Sequence, residues 1–207
     1  MTGLALEPRK TPGQPRSRAT VEAVVEAAAR ILETDGPAGF NTNAVARRAG
    51  VSVGSLYQYF PGKAALIAEL SRRNAEAALA GLAEAVVRTE GQPRLARLRA
   101  FVCFAIVQQG ARPRLSRALD QLEEGLPLTT DARATAPAII ALLAPVLAEG
   151  EAGLDPDRLT RIAGDCLALA RTLIDRGLDA GDLTGAGLEN RVVGALAGYL
   201  AGAGLAL

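Results

Sequence analysis

Apolar residues recur at intervals of three and four along almost the whole chain, and this spacing restricts the fold more than any other feature. Val21, Val24, Val25, Ala28, Ile31 and Leu32 lie on one face of a 3.6-residue helix, as do Leu95, Leu98, Phe101, Val102, Ala105 and Ile106. Leu159, Ile162, Ala163, Cys166, Leu169, Ala170 and Leu173 form a broader stripe. Pro and Gly punctuate these runs. Gly36-Pro37 is expected to stop the first helix, whose first turn carries Glu22. Asn41 or Thr42 then caps a short helix ended by Gly50, and Ser52 caps another running to Phe60. Pro61-Gly62 breaks that one, and Lys63 opens a long helix through about Arg88. Pro113 is placed as a first helical residue before Leu115, Leu119 and Leu122. Pro137 precedes Ile139, Ile140, Leu143, Val146 and Leu147, with Pro145 expected to kink or end that helix. Asp155-Pro156 is a cap followed by a first-turn proline, and a last helix is expected from about Leu183 or Thr184 to the end. No alternating strand pattern of useful length occurs. The predicted fold class is all-α with about nine helices, three in an N-terminal unit and the rest in a larger bundle.

Composition removes several kinds of chemistry. Histidine is absent, so neither a Ser-His or Cys-His pair nor a His-ligated metal site is available. The two cysteines, Cys103 and Cys166, give no disulfide framework and no zinc cluster. Acidic residues are scattered without a paired motif, so no catalytic residue, cofactor or metal is expected. Residues 1–18 contain no apolar core of signal-peptide length, and sparse cysteine fits a reducing cytoplasm, the expected location. The longest uncharged stretches, 134–148 and 192–207, fall short of the ~20 residues that a spanning helix requires. A buried helix is the simpler reading of the second, with a tail anchor as its alternative, and no membrane partner is expected.

The net charge is +1, but it is uneven: residues 1–63 hold eight Lys/Arg against five Asp/Glu. Four of the seven aromatics, Phe40, Tyr57, Tyr59 and Phe60, fall in the same region. Residues 1–15, with Arg9 and Lys10 among Pro and Gly, read as a flexible basic arm. Residues 42–60, TNAVARRAGVSVGSLYQYF, have the outline of a helix-turn-helix, in which a first helix crosses the phosphate backbone and a second enters the major groove. The second helix is mostly small or polar (Val53, Gly54, Ser55, Gln58), which lets its backbone approach base edges. Tyr57, Tyr59 and Lys63 can donate to phosphates, and Arg47 and Arg48 add charge. Leu56 and Phe60 are expected in the core. Core packing is also the alternative for Tyr57 and Tyr59, but it would leave the helix apolar nearly all round. Gly50-Val51-Ser52-Val53-Gly54 matches the G-x-S-x-G nucleophile elbow, yet the preceding segment reads as helix and no histidine exists to serve it.

Ala44–Lys63 resembles the DNA-binding signature of the TetR family of transcriptional regulators. The matching residues are Thr42, Ala49, Gly50, Val51, Ser52, Leu56, Tyr57, Tyr59, Phe60 and Lys63, and the likeness extends over about Val21–Leu70. The departures are Asn41 and Asn43 around Thr42, and Val45 where Ile is usual. The resemblance implies that Thr42, Tyr57, Tyr59 and Lys63 hold phosphates and that Asn43, Val53, Ser55 and Gln58 face bases. Ser52, Gly54 and Arg47 complete the expected DNA-binding set, and Arg16 and Arg18 are expected to extend it from the arm. It also implies a homodimer on a pseudo-palindromic double-stranded operator, and a repressor released by a small molecule in the C-terminal bundle.

These expectations divide the chain into the arm (1–15), a DNA-binding domain (16–63) and a ligand-binding and dimerisation domain (64–207). The last helix supports dimerisation, because Gly194, Gly198 and Gly202 recur every fourth residue and would allow close helix approach. Leu188, Val192, Leu196 and Tyr199 form an apolar face nearby and join the expected interface. Phe101, Cys103, Phe104, Val107, Gln108, Leu143 and Cys166 are the candidate pocket residues, with Gln109 as a further polar contact. Their character suits a modest apolar or amphipathic ligand, and plain core packing is the alternative for each. A helical interaction protein with only non-specific DNA affinity is the rival reading of the whole chain.

Overall fold

The structure, a computed structural model, describes residues 15–123, 135–151, 153–182 and 186–206. Its helices are α1 (Pro15–Thr34), α2 (Gly36–Gly39), α3 (Thr42–Ala49), α4 (Val53–Tyr59), α5 (Lys63–Arg88), α6 (Arg94–Ala111), α7 (Pro113–Glu123), α8 (Thr135–Ala148), α9 (Pro156–Asp179) and α10 (Ala186–Gly202). No strand occurs among the described residues.

The local signals act as their chemistry requires. Asp155 caps α9 by accepting from the Arg158 backbone N–H at 3.0 Å, with Pro156 in the first turn. Several expectations change, and since α1 starts at Pro15, Glu22 lies beyond its first turn. Gly36-Pro37 stops α1 but also starts α2: Gly36 takes φ +66°, and Pro37 lies in the first turn of a four-residue helix. Pro145 stays inside α8, which continues to Ala148. The last helix ends at Gly202 rather than at the chain end, and its expected start at 183–184 lies outside the described residues. The expected arm likewise lies outside them apart from Pro15, and Arg16 and Arg18 belong to α1 instead.

The chain forms two compact units, Met1–Ala75 with Arg112–Arg133, and Glu76–Ala111 with Ala134–Leu207. A boundary at residue 63 does not coincide with them, because the start of α5 and all of α7 belong to the first unit. Val24, Ala28 and Leu32 of α1 pack with Val45, Leu56, Phe60 and Leu66, and α7 closes this core through Leu115, Ala118 and Leu119. Ion pairs reinforce the same contacts. Arg112 donates to both Glu33 and Glu26 on α1, and Arg73 on α5 reaches Glu22 at 2.9 Å.

The second unit gathers Leu98, Val102, Leu147, Ile174, Leu188, Val192 and Leu200 around its own core. Two glycines lie directly against large side chains of other helices. A Cβ at Gly177 would stand 2.4 Å from Leu188 Cδ1, and one at Gly81 would stand 2.1 Å from the Phe104 ring. Arg94 and Arg97 are buried at the start of α6. Arg94 donates to Glu151 and to the carbonyls of Glu149 and Ala206, and Arg97 donates to Glu149. Among the described residues no helix is long and apolar enough to cross a membrane.

Two outcomes follow from this packing. Gly177→Ala should destabilise the protein by about 1–3 kcal/mol, since the added methyl would stand 2.4 Å from Cδ1 of the fully buried Leu188, which must shift within the core. Denaturant unfolding checks this, and an unchanged midpoint would contradict the close contact. The Arg112 hydrogen bond holds the Glu33 carboxyl below its ordinary value of 4.5 against the opposing effect of burial. A carboxyl depressed by folding stabilises the native state above its unfolded value, and that stabilisation disappears as pH falls through the folded value. Melting temperature should therefore drop as pH is lowered from 5 towards 3. Arg112→Gln should lower it near neutral pH and flatten that dependence.

Candidate nucleic-acid interface

The first unit contains two short helices whose ends are set by side chains rather than by length. Asn41 Oδ1 accepts from the Ala44 N–H at 2.9 Å and caps α3. This resolves the choice between Asn41 and Thr42, and it leaves the Thr42 hydroxyl for another partner. Gly50 ends α3 at φ +68° and ψ +29°, a left-handed conformation that costs other residues steric strain. Nothing lies within 4 Å of where its Cβ would be, so backbone conformation and not space selects glycine here. Ser52 Oγ then accepts from the Ser55 N–H at 3.0 Å and opens α4.

Burial of Leu56 and Phe60 fixes the rotation of α4. Val53, Gly54, Tyr57 and Gln58 are consequently exposed, with Val53 and Tyr57 each at 39%. Tyr57 and Tyr59 part company. The Tyr57 hydroxyl lies 3.2 Å from Thr42 Oγ1, so two hydroxyls from α3 and α4 meet at the surface. Tyr59 is half-buried against the core of the unit, because its position flanks the Leu56–Phe60 stripe. Ser55 is half-buried as well, and its hydroxyl pairs with that of Ser52 at 2.8 Å. Asn43, Arg47 and Ser52 are exposed, as is Lys63, whose Nζ lies 5.4 Å from the centroid of the buried Phe40 ring. No carboxylate side chain occurs between Asp35 and Glu69, so Arg47, Arg48 and Lys63 give this segment a one-signed charge. That run could have been read directly from the sequence. The role of α7 in closing the unit could not, because its apolar stripe names no partner.

In the second unit the candidate pocket residues converge only in part. Phe101, Leu143 and Cys166 are buried in one core, and Phe104 lies half-buried against Gly81. Cys103 and Val107 are exposed, Val107 at 65%, since the helical repeat turns them away from Phe101 and Val102. Gln108 and Gln109 are half-buried, and Gln109 Oε1 is a buried acceptor without a hydrogen-bond partner. Burial pushes the Cys166 thiol up to about 11, which keeps it protonated. The expected interface residues also separate. Leu188, Val192 and Leu196 are buried within their own unit, whereas Gly194, Gly198 and Gly202 are exposed with nothing within 4 Å of a Cβ. Tyr199 donates to Asp165, which with burial pushes its phenol up to about 12. No group of three His, Cys, Asp or Glu residues among the described ones could hold a metal ion.

Residues 24–70 match the family model described as bacterial regulatory proteins, tetR family. No curated protein matches the chain. Solved structures share its fold. A TetR-family transcriptional regulator from Streptomyces coelicolor superposes with a TM-score of 0.67 at 22% identity, covering 88% of this chain and 98% of that one. The transcriptional regulator FadR from Bacillus subtilis, in complex with stearoyl-CoA, gives 0.69 at 17% identity, covering 85% and 97%. SmeT, the repressor of the Stenotrophomonas maltophilia multidrug efflux pump SmeDEF, gives 0.65 at 20% identity, covering 90% and 91%. Residues 24–70 therefore match the model of the tetR family of bacterial regulatory proteins, and the chain shares the fold of solved TetR-family regulators.

Proposed function

We propose that this protein is a ligand-responsive transcriptional repressor that binds a pseudo-palindromic operator as a homodimer in the cytoplasm. The observation that carries this reading is the α3–α4 segment, free of Asp and Glu in sequence, where Thr42, Tyr57 and Lys63 offer hydroxyl and ammonium groups beside an exposed, small-residue helix face. In this reading Thr42, Tyr57, Tyr59, Arg47 and Lys63 hold phosphates, and Ser52 and Ser55 fix the start of the helix that enters the major groove. Asn43, Val53, Gly54 and Gln58 face base edges.

The second unit would bind the second copy and the ligand. Gly194 and Gly198 each cost the interior of α10 about 1 kcal/mol of helix propensity, and nothing among the described residues lies within 4 Å of a Cβ at either or at Gly202. Contact with a second copy would supply the reason. A ligand with a long apolar part and a polar group suits a unit with an extensive apolar core and an unpartnered Gln109 acceptor. The FadR complex with stearoyl-CoA makes an acyl-CoA the first candidate.

Fluorescence anisotropy with DNA from upstream of the protein's own gene tests the reading. Wild type should bind it in preference to scrambled competitor, and binding should weaken steeply with salt. Tyr57→Phe should weaken it roughly 5- to 10-fold by removing one hydroxyl donor. Lys63→Ala should weaken it and reduce the salt slope by about one. Stearoyl-CoA should release the complex. Equal affinity for scrambled DNA would favour the rival, a helical protein with only non-specific affinity. Light scattering at micromolar concentration should give a dimer, and Gly198→Arg should shift it to monomer without loss of helicity. A monomeric wild type would remove the homodimer.

A further inference from the structure

The exposed face of α4 carries no positive charge. Its outward side chains are Val53, Gly54, Tyr57 and Gln58, and the exposed Asn43 belongs to α3, whose Thr42 meets Tyr57. The nearby cations all lie on other helices. Arg47 and Arg48 are in the last turn of α3, and Lys63 opens α5. Arg48 also acts on Glu33, and Lys63 is placed over the Phe40 ring.

Base-edge chemistry gives this inventory a meaning. Guanine offers two acceptors and is read chiefly by Arg or Lys. Adenine offers a donor and an acceptor side by side, which a carboxamide matches in bidentate fashion. Thymine offers a methyl group that an apolar side chain can touch. Gln58 and Asn43 are carboxamides, and Val53 is an apolar side chain left 39% exposed. Gly54 adds a bare stretch of backbone beside Val53. A Cβ there would meet only Ser52 Oγ at 3.8 Å, so the fold does not require glycine. Its smoothness suits close approach to a bulky methyl group in the groove.

We infer that the α4 face selects A·T base pairs, with Gln58 and Asn43 reading adenine and Val53, over Gly54, contacting thymine methyls. This rests on the DNA-binding reading above and states which bases that surface takes. Arg47 shares a face of α3 with Asn43 and is the cation whose reach would most directly oppose the assignment.

Selection of the full-length chain on random-sequence duplex DNA, at one fixed salt concentration, tests it. The expected result is paired half-sites whose most restricted positions are A·T pairs. Gln58→Arg should switch one of those positions from adenine to guanine. Gln58→Ala should relax discrimination at the same position by roughly tenfold or more. Val53→Ala should weaken the preference for thymine at a neighbouring position. Both positions are exposed, and unchanged thermal melting would show that the variants fold. Half-sites restricted mainly to G·C would overturn the inference while leaving operator recognition intact, and loss of that restriction in Arg47→Gln would identify the reader. A Gln58→Arg motif identical to wild type would overturn the role of Gln58. No enrichment of any sequence would overturn the operator reading itself, and this inference with it.

Discussion

Everything outward on the α3–α4 surface depends on two side chains pointing inward. A seven-residue helix has too few hydrogen bonds to persist alone in water. Leu56 and Phe60, one turn apart and both buried, anchor it, each by about 1.5–3 kcal/mol of apolar burial. Because they fix the rotation of α4 as well as its existence, they decide that Tyr57 and Gln58 face outward and that Tyr59 lies along the flank. The two polar caps define where the helices begin, and the Gly50 turn sets the angle between them. The result is a rigid platform of small and hydroxyl-bearing residues, which is what recognition of a polyanion with readable base edges calls for.

The rest of the first unit is arranged to hold that platform still. α1 supplies the largest share of the core, and α7 closes it from a distant part of the sequence. The Arg112 and Arg73 ion pairs add direction more than energy, since partly exposed pairs contribute little individually. In the second unit, buried Arg94 and Arg97 pair with Glu151 and Glu149, and two glycines accommodate large neighbours. Phe104 lies against Gly81 and Leu188 against Gly177, so a side chain at either glycine would displace its large neighbour. The glycines of α10 are of a different kind, since they face open space.

Much of this was legible in the sequence where the cause is local. Asp155-Pro156, Ser52 and Gly50 each satisfy or reverse backbone within a few residues, and each acts where the pattern places it. α2 was missed because four residues carry no periodicity, and Gly36-Pro37 signals a stop as strongly as a start. Pro145 signals a kink or an end; α8 runs on only to Ala148, with the buried Leu143, Val146 and Leu147 flanking the proline. Cys103 and Val107 share a helix with Phe101, but the helical repeat turns them to its exposed side.

The sequence by itself determined the helices, their caps and the chemical character of the α3–α4 segment, because spacing, caps and charge act over one or two turns. Only the tertiary structure decided which apolar stripe meets which. It sent Leu188, Val192 and Leu196 into their own core, left Gly194, Gly198 and Gly202 open, and brought α7 onto α1. The physical reason is that apolar burial is non-directional: a stripe of leucines requires a partner but does not name one.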